Sequence, residues 1–249
     1  MAPRPPRQSA STSRGLTVPS AASIEAAGGS SGLSASGRPL DKDGGAIQKA
    51  EMHNPFDQGY FKSDELRAFG FARVGEGSAI ARTCTIVGLE NIVIGDFVRI
   101  DGFTTIVATG GPLRIGSRVH ICSGCVLGAR GGIELADYSS LSHGVRLLSA
   151  IDDFSGRTMT NSTLPPEYLG IQTAPIHVGR FAPIGSGCIV LPGASVGEGS
   201  AVAAMSVVNR PLGEWTIYGG NPARELGPRS RDLLDLARRL EAGPAELSP

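Results

Sequence analysis

The sequence predicts an all-β solenoid, a parallel β-helix assembled from six-residue repeats. Three observations predict this fold class: an aliphatic residue recurs at every sixth position over much of the chain, 35 of the 249 residues are glycine, and aromatic residues make up only 5%. A period of six fits neither an α-helix nor an alternating strand, whereas it is typical of parallel β-helices. Abundant glycine suits the tight corners of such a coil, and scarce aromatic residues suit a thin aliphatic core.

The repeat positions form six groups of three hexads, and we expect each group to make one coil. All of them are valine, isoleucine or leucine: Val74, Ile80, Ile86, Ile94, Ile100, Ile106, Ile115, Ile121, Leu127, Leu135, Leu141, Leu147, Val178, Ile184, Val190, Val196, Val202 and Val208. Because the groups start at positions 74, 94, 115, 135, 178 and 196, the surplus residues always follow the third hexad. Insertions at one repeated corner bulge outward without shifting the register of the core.

The largest insertion is predicted to form a functional loop over residues 149–176. Loops longer than about 12–15 residues in a compact domain are usually functional or disordered. This one is polar, with Asp152 and Asp153 near its start, but it also carries the large apolar residues Phe154, Met159, Leu164 and Tyr168. Because of those apolar residues, we favour function over disorder.

The segments outside the repeats predict three further regions. The first fifty residues are rich in Ser, Ala, Gly and Pro and cannot bury enough apolar surface to offset their ordering entropy. They loosely fit a transit peptide, and Met52 is an alternative start of the protein. The predicted regions are a disordered extension over 1–51, an N-terminal helical segment over 52–73, the β-helix over 74–225, and a C-terminal helix and tail over 226–249.

Two short helices are predicted beside the coil. Ser63 is a candidate N-cap for a helix that ends at Gly70. Ser230 is a candidate cap for an amphipathic helix that ends near Leu240. We expect the second helix to cover the open, strand-edged end of the solenoid.

Composition and charge argue against several classes of protein. The chain has 23 basic and 23 acidic residues, so its formal net charge is zero and no nucleic acid or anionic membrane is expected as a partner. No apolar run approaches the roughly 20 residues that span a bilayer, so no membrane insertion is expected. Four cysteines without a secretory apolar region predict free thiols in a reducing, cytoplasmic compartment.

Three segments carry a resemblance to a known family: Asn54-Pro-Phe-Asp-Gln-Gly-Tyr60, Asp152-Asp-Phe-Ser-Gly156 and Ile217-Tyr-Gly-Gly-Asn-Pro-Ala-Arg224. With them, the chain from about residue 52 to 240 resembles the hexapeptide-repeat acyltransferases. It is similar to galactoside and maltose O-acetyltransferases, and more similar to acyltransferases of nucleotide-linked aminosugars from surface-polysaccharide pathways. The resemblance implies a left-handed β-helix and a homotrimer with active sites between subunits. It also implies acetyl-CoA as co-substrate and no metal.

The resemblance also implies which residues bind the coenzyme. By position, Ser186 and Ala204 match residues that bind the pantetheine arm, and Asn209, Arg210 and Arg224 match the end that meets the nucleotide phosphates. The physical chemistry agrees, because arginine holds phosphate through paired N–H donors. Without the resemblance, the two arginines would be assigned to a solvated surface.

The candidate catalytic residues are His120, Asp152 and Asp153. The resemblance places Asp152 where O-acetyltransferases carry a loop histidine, with Asp153 next to it. Aspartate is a poor base for a hydroxyl, but an amine needs only a proton acceptor, so the change favours N-acylation. His120 precedes a repeat position, so it points outward one coil below the loop, where it could reach a substrate.

Other histidines and cysteines give no metal pattern. His143 is expected at a corner, His177 is expected to point outward after the long loop, and His53 is expected on the surface. Their spacings lack the histidine pair, five residues apart, of β-helix carbonic anhydrases. The pair in Cys122-Ser-Gly-Cys125 is expected to diverge, because only the second cysteine points inward.

The leading hypothesis is therefore an acetyl-CoA-dependent transferase that acetylates the amine of a nucleotide-linked amino-deoxysugar. A rival within the same class is O-acetylation of a glycan or galactoside-like sugar. A rival of a different class is a non-catalytic β-helix that serves as a scaffold subunit.

Overall fold

The computed structural model describes Asn54 and residues 56–243. The chain divides into two units, residues 1–54 and 55–249, and every helix and strand described below belongs to the second. The predicted disordered extension over 1–51, the alternative start at Met52 and the surface position of His53 all lie outside the described residues.

Within the described residues, three sheets wind around one aliphatic core. The first sheet contains β2 Arg73–Val74, β5 Ile92–Ile94, β8 Leu113–Ile115, β11 Ile133–Leu135, β16 Ile176–Val178 and β19 Ser195–Val196. The second contains β1 Tyr60–Lys62, β3 Ala79–Ala81, β6 Arg99–Ile100, β9 His120–Ile121, β12 Ser140–Leu141, β17 Pro183–Ile184, β20 Ala201–Val202, β22 Thr216–Gly219 and β23 Arg224–Pro228. The third contains β4 Thr85–Val87, β7 Thr105–Val107, β10 Val126–Gly128, β13 Arg146–Leu148, β18 Ile189–Val190 and β21 Val207–Val208.

The register between coils confirms the predicted β-solenoid. Each repeat residue pairs in parallel with the corresponding residue of the next coil, as Ile100 does with Ile80 on one side and Ile121 on the other. Seventeen of the eighteen repeat residues are buried, and Ile86 is half-buried. Burial of one such side chain stabilises the fold by about 1.5–3 kcal/mol, so the column of repeat residues is the main source of stability.

The corners between sheets require special backbone. A side chain at Gly95 would lie about 2.6 Å from the backbone of Gly116 on the next coil, so successive coils approach too closely there for any larger residue. Seven non-glycine residues of the described chain adopt the left-handed region at corners: Phe97, Phe103, Arg118, Tyr138, Phe181, Met205 and Trp215. That backbone is uncommon for bulky residues and persists because the stacked coils determine it.

The insertions lie at the corner between the third and first sheets, as the spacing predicts. The first is a 3₁₀ turn at Leu89–Asn91. The largest contains the antiparallel pair β14 Ala150–Ile151 and β15 Gln172–Thr173, with a 3₁₀ turn at Pro166–Tyr168 between them. The long loop therefore leaves the solenoid at the corner between the third and first sheets, and not at the corner between the second and third sheets.

The N-terminal helix, α1, covers Ser63–Arg67, and its N-cap is Lys62 rather than Ser63. The capping prediction for Ser63 was wrong because this hydroxyl is buried. It donates to the carbonyl of Ser78 and accepts the backbone N–H of the same residue. Strand β1 precedes the helix and pairs antiparallel with β3.

The C-terminal helix, α2, covers Leu233–Glu241 and does not lie across the end of the solenoid. Its Glu241 accepts hydrogen bonds from the Tyr138 hydroxyl at 3.0 Å and from Arg180 at 2.6 Å, which ties the helix to the side of the fourth and fifth coils. An apolar stripe on a helix predicts that the helix packs against the rest of the protein, but it does not predict which surface the helix covers. Neither helix of the described chain is long and apolar enough to cross a membrane.

Candidate active site

The candidate site follows one edge of the solenoid, the corner between the second and third sheets, which we call edge 2–3. The residue directly after each second-sheet strand stands in one column there. Its backbone N–H donates to the repeat residue of the next coil, as Asp101 does to Ile121 and Cys122 does to Leu141, both at 2.8 Å. The column continues through Ser142, Gly185 and Ala203. Residues far apart in sequence therefore lie one above another.

On this edge, His120 is part of a hydrogen-bonded cluster that has Asp101 at its centre. It lies on β9 with its ring outward, and its Nε2 is 2.8 Å from Oδ2 of Asp101. The other oxygen of Asp101 accepts hydrogen bonds from the Tyr60 hydroxyl and from Nε of Arg99, each at 2.7 Å. Arg99 also donates to the Tyr60 oxygen at 2.8 Å.

The cluster determines the tautomer of His120. An ionised carboxylate only accepts hydrogen bonds, so Nε2 carries the hydrogen that it donates to Asp101. Nδ1 of a neutral His120 therefore keeps its lone pair and is the atom that can accept a proton. An aspartate that orients a histidine and stabilises its cation is the arrangement found in general-base catalysis.

Asp101 remains ionised over the physiological range. Burial alone would raise its pKa, but hydrogen bonds from Arg99, His120 and Tyr60 outweigh burial and lower the pKa to about 2. At neutral pH the negative charge beside His120 is thus permanent.

Cys122 lies beside this pair but is a poor nucleophile. Its Sγ is 3.9 Å from both ring nitrogens of His120. Burial and the charge of Asp101 raise the pKa of the thiol, so the reactive thiolate is scarce at neutral pH. Cys125 lies in the core, where its thiol donates to the Ser142 carbonyl, and burial raises its pKa to about 11. The two cysteines diverge, as their register predicts.

The donor atoms of Asp101, His120 and Cys122 all lie within 4.8 Å of one another, a spacing in which three residues could share a cation. The carboxylate is nevertheless already occupied, because it accepts hydrogen bonds from three side chains. A metal ion would also meet the fixed positive charge of Arg99. These contacts fit proton handling better than metal binding.

The two loop aspartates have different surroundings. The Asp153 carboxylate accepts hydrogen bonds from the backbone and hydroxyl of Ser155, at 2.9 and 2.7 Å, and from Thr158 at 3.4 Å. The two bonds from Ser155 lower the pKa of Asp153. Asp152 is half-buried and makes no hydrogen bond within the described part of the chain. Asp153 therefore organises the loop, whereas Asp152 is available to a ligand.

Within one chain, the three predicted catalytic residues do not form one hydrogen-bonded group. Among the described residues, no hydrogen bond links His120 to either loop aspartate. The histidine lies on the second sheet, and the loop begins at the corner between the third and first sheets.

The residues predicted to bind coenzyme A lie in two different places on the solenoid. Ser186 and Ala204 are both exposed on edge 2–3, on successive coils, where the N–H of Met205 donates to the Ser186 carbonyl at 2.9 Å. Asn209 and Arg210 follow β21 and are exposed.

Arg224 opens β23 and is also exposed. The N–H of Ala223, the residue before it, donates to the Val207 carbonyl on β21 at 2.8 Å. That contact holds the Gly-Asn-Pro-Ala segment beside the last strand of the third sheet.

The other two histidines of the described chain lie on different parts of the solenoid. His143 is exposed on edge 2–3, and its carbonyl accepts the N–H of Gly187. His177 points outward from the first sheet, where its Nδ1 lies 3.2 Å from a carboxylate oxygen of Glu134.

Sequence reasoning missed Asp101, Arg99 and Tyr60. A signal for Asp101 existed, because it directly follows one repeat position, Ile100, and His120 directly precedes the repeat position of the next coil. No sequence signal pointed to the contact of Tyr60 with Asp101, since that contact depends on the pairing of β1 with β3.

Comparisons with known proteins identify the family of the chain. No family model matches the chain. It is 34% identical over 177 residues, 71% of this chain and 92% of the relative, to the dTDP-4-amino-4,6-dideoxy-D-glucose acyltransferase of Escherichia coli. Crystal structures of AntD, an N-acyltransferase from Bacillus cereus, are 33% identical and cover 74% of this chain. One, of a serine-to-cysteine variant with dTDP-4-amino-4,6-dideoxyglucose and coenzyme A, gives a TM-score of 0.71 and is covered over 98% of its length. Another, with dTDP and 3-hydroxybutyryl-CoA, gives a TM-score of 0.70 and is covered over 97%.

The chain is therefore a member of the hexapeptide-repeat acyltransferases. Within that class it belongs to the sugar acyltransferases that the E. coli and B. cereus proteins represent. This membership excludes the scaffold hypothesis as the main function, and it confirms the predicted enzyme class and the use of an acyl-CoA co-substrate.

Proposed function

We propose that the protein transfers an acyl group from acyl-CoA, with acetyl-CoA as the first donor to test, to the amine of a nucleotide-linked amino-deoxysugar. The observation that carries the proposal is the His120–Asp101 pair, which lies on the same edge as Ser186 and Ala204. The names of the relatives support the acceptor, since the E. coli protein is a dTDP-aminosugar acyltransferase and AntD binds such a sugar together with coenzyme A. The product would serve the assembly of a surface polysaccharide.

The chemistry follows from the tautomer of His120. The neutral amine attacks the thioester carbonyl, a C–N bond forms, and Nδ1 of His120 accepts the proton that the nitrogen loses. The C–S bond then breaks, and the thiolate of coenzyme A takes up the proton. Asp101 stabilises the transient imidazolium without itself being protonated, because its pKa is about 2. The raised pKa of Cys122 favours this direct transfer over an acyl-cysteine intermediate.

A second role is proposed for Asp152, as the carboxylate that receives the sugar ammonium. The AntD structures include variants of one serine and of one aspartate that are ten positions apart in that protein. Over residues 56–243 of this chain, Ser142 is the only serine with an aspartate ten positions later, and that aspartate is Asp152. Ser142 also stands on edge 2–3, in the column that contains Asp101 and Cys122.

The predicted homotrimer remains part of the proposal. It is supported by the separation of His120 from the long loop within one chain, because a loop from a neighbouring subunit could complete the site. Mixed assemblies test this point. If each site takes His120 from one subunit and Asp152 from another, hybrids of His120→Gln and Asp152→Asn chains regain activity that neither variant shows alone. Native mass spectrometry gives the number of subunits, and hybrids without activity would contradict a shared site.

The main test of the reaction uses purified protein, acetyl-CoA and dTDP-4-amino-4,6-dideoxyglucose, with release of the coenzyme thiol as the signal. The matched control acceptor is the same nucleotide sugar with a hydroxyl in place of the amine. Transfer to the amine alone supports N-acylation. Transfer only to the hydroxyl, or only to a simple galactoside, would replace the proposal with O-acetylation.

The cytoplasm is the proposed compartment. All four cysteines, Cys84, Cys122, Cys125 and Cys188, are free thiols, which suits a reducing environment.

A further inference from the structure

A cavity of about 480 Å³ lies at the N-terminal end of edge 2–3. Its walls come from two parts of the chain that are distant in sequence. One wall is the segment Phe56–Tyr60, and the other is formed by the first two coils, including Thr83 and Phe103. The first wall contains most of the Asn-Pro-Phe-Asp-Gln-Gly-Tyr motif, to which the proposed chemistry assigns no role beyond the hydroxyl of Tyr60.

The cavity is preformed rather than a loose gap. The carboxylate of Asp57 accepts the backbone N–H of Gly59 at 2.9 Å, which fixes the turn of the first wall. The Gly59 carbonyl in turn accepts the N–H of Arg82 at 3.1 Å and joins the turn to the coil. At Gly102, a side chain would come within 2.3 Å of the Thr83 hydroxyl, so glycine keeps this part of the wall flat.

Aromatic rings give the cavity its chemical character. Phe103 has a left-handed backbone with φ of 59° and is 78% exposed, although a ring gains stability mainly by burial. Phe56, on the opposite wall, is 92% exposed. Exposed rings beside an amide side chain, here that of Gln58, are typical of surfaces on which a nucleobase stacks.

The cavity adjoins the proton-transfer residues. Tyr60 forms part of its wall, and the Tyr60 hydroxyl donates a hydrogen bond to Asp101. Gly102, which directly follows Asp101 in the chain, also lines the cavity. Arg99 lies over the Tyr60 ring, 5.0 Å from its centroid, and is 59% exposed at the side chain. Because a guanidinium has further N–H donors, Arg99 can contact a phosphate while it holds Asp101.

We propose that this cavity binds the nucleobase of the acceptor, with the base stacked on Phe103 and the diphosphate directed past Arg99 toward His120. The inference rests on the proposed function and specifies where the nucleotide of its substrate binds. The adenine of the acyl donor is the competing occupant. It is disfavoured because Ser186, Ala204 and Arg224 lie toward the opposite end of the solenoid.

The test compares Phe103→Asn with the matched control Phe97→Asn. Both phenylalanines have left-handed backbone, with φ of 59° and 55°, and both are exposed, but Phe97 lies at the corner between the first and second sheets. Asparagine tolerates this backbone, so each change removes a ring without adding strain. Isothermal titration with dTDP, UDP and coenzyme A gives the three dissociation constants separately.

We expect Phe103→Asn to weaken dTDP binding about tenfold and to leave coenzyme A binding unchanged, since stacking on one aromatic ring typically accounts for such a loss. Phe97→Asn should change neither constant. Phe56→Ala provides a second variant at a ring that is almost fully exposed, so a folding defect in Phe103→Asn would not prevent the test. Weaker binding of coenzyme A instead of dTDP, or no change in either, would overturn the assignment.

Kinetics separate a failure of this inference from a failure of the proposed function. If the wild-type protein acylates the nucleotide aminosugar and Phe103→Asn binds dTDP normally, only the cavity assignment is wrong. If the wild-type protein binds neither nucleotide and acylates only a free sugar, the proposed acceptor is wrong and the cavity assignment falls with it. A rise in KM for the nucleotide aminosugar, with KM for the free aminosugar unchanged, supports both.

Discussion

Nε2 of His120 lies 2.8 Å from Oδ2 of Asp101, although the two residues are 19 positions apart and stand on successive coils. The backbone register places them side by side, because the Asp101 N–H donates to the carbonyl of Ile121, the neighbour of His120. The solenoid register thus determines the geometry of the proton acceptor. A change in either side chain should affect the chemistry while the backbone pairing between the two coils stays in place.

The first prediction concerns His120→Gln. We expect kcat to fall by about 10²–10⁴, because glutamine cannot accept the proton of the attacking amine. The dissociation constant of acetyl-CoA should stay the same, since no predicted coenzyme contact is removed. Steady-state kinetics and calorimetry measure the two quantities.

The matched control for this prediction is His177→Gln. This histidine is also exposed and also contacts a carboxylate, that of Glu134, but it lies on the first sheet. A loss of rate in the control as large as that in His120→Gln would show that the effect is not specific to the site.

The second prediction concerns the pH dependence of stability through Asp101. Its pKa in the folded protein is about 2, below the ordinary value of 3.8, so its stabilising contribution is present above about pH 4 and is lost as pH falls toward 2. Allowing for solvent screening of a half-buried group, Asp101→Asn should lower the free energy of unfolding by about 1–2 kcal/mol at pH 7. Urea denaturation at pH 7 and at pH 2.5 measures the difference, which should shrink at the lower pH. A difference that grows on acidification would contradict the ionised state of Asp101.

Asp101 is proposed to act through His120, and kinetics can separate this role from a purely structural one. Asp101→Asn should lower kcat less than His120→Gln does. The double variant should be no slower than His120→Gln alone, because the aspartate has no function once the histidine is gone. Additive losses would assign Asp101 a separate role.

The repeat pattern predicted the fold in detail because each repeat position has a single physical consequence. A branched aliphatic residue at every sixth position must face the axis, so the partner of Ile100 on the next coil follows from counting. The outward orientation of His120 followed from the same count. The contact with Asp101 did not follow, since it joins two coils and depends on the side chains at their corner. The position of α2 could not be predicted either, because a stripe of leucines does not specify the aromatic corner at Tyr138 against which the helix lies.

The third prediction separates the two loop aspartates. Asp152→Asn should raise KM for the aminosugar or lower kcat, with little change in stability, because Asp152 makes no hydrogen bond within the described residues. Asp153→Asn should weaken the turn that contains Ser155 and so make the loop more susceptible to proteolysis. Kinetics and limited proteolysis of both variants measure these effects. The same proteolytic pattern in both would show that Asp152 is structural as well.

The fourth prediction is that Cys122→Ala retains activity within a few-fold of the wild-type protein. The raised pKa of the thiol makes it a weak nucleophile, and direct attack by the amine does not require it. Intact-protein mass spectrometry after mixing with acetyl-CoA alone should show no acetylated Cys122. A rapid acyl-enzyme burst that disappears in Cys122→Ala would establish a two-step mechanism instead.

The fifth prediction assigns Arg224 to the 3′-phosphate of coenzyme A. Arg224 is exposed, and among the described residues the one hydrogen bond of its guanidinium goes to the Ala223 carbonyl, at 3.1 Å, so the other guanidinium donors are available to a phosphate. We expect Arg224→Gln to raise KM for acetyl-CoA about tenfold, in the range of a charge-assisted hydrogen bond. With 3′-dephospho-acetyl-CoA as donor, the KM of the wild-type protein should rise by a similar factor, whereas the variant should hardly distinguish the two donors.

The control is Arg130→Gln, at an exposed arginine on the corner between the third and first sheets, and it should behave as the wild type. If Arg224→Gln still prefers the phosphorylated donor by the full wild-type factor, the 3′-phosphate is bound elsewhere, and Arg210→Gln is the next variant to examine.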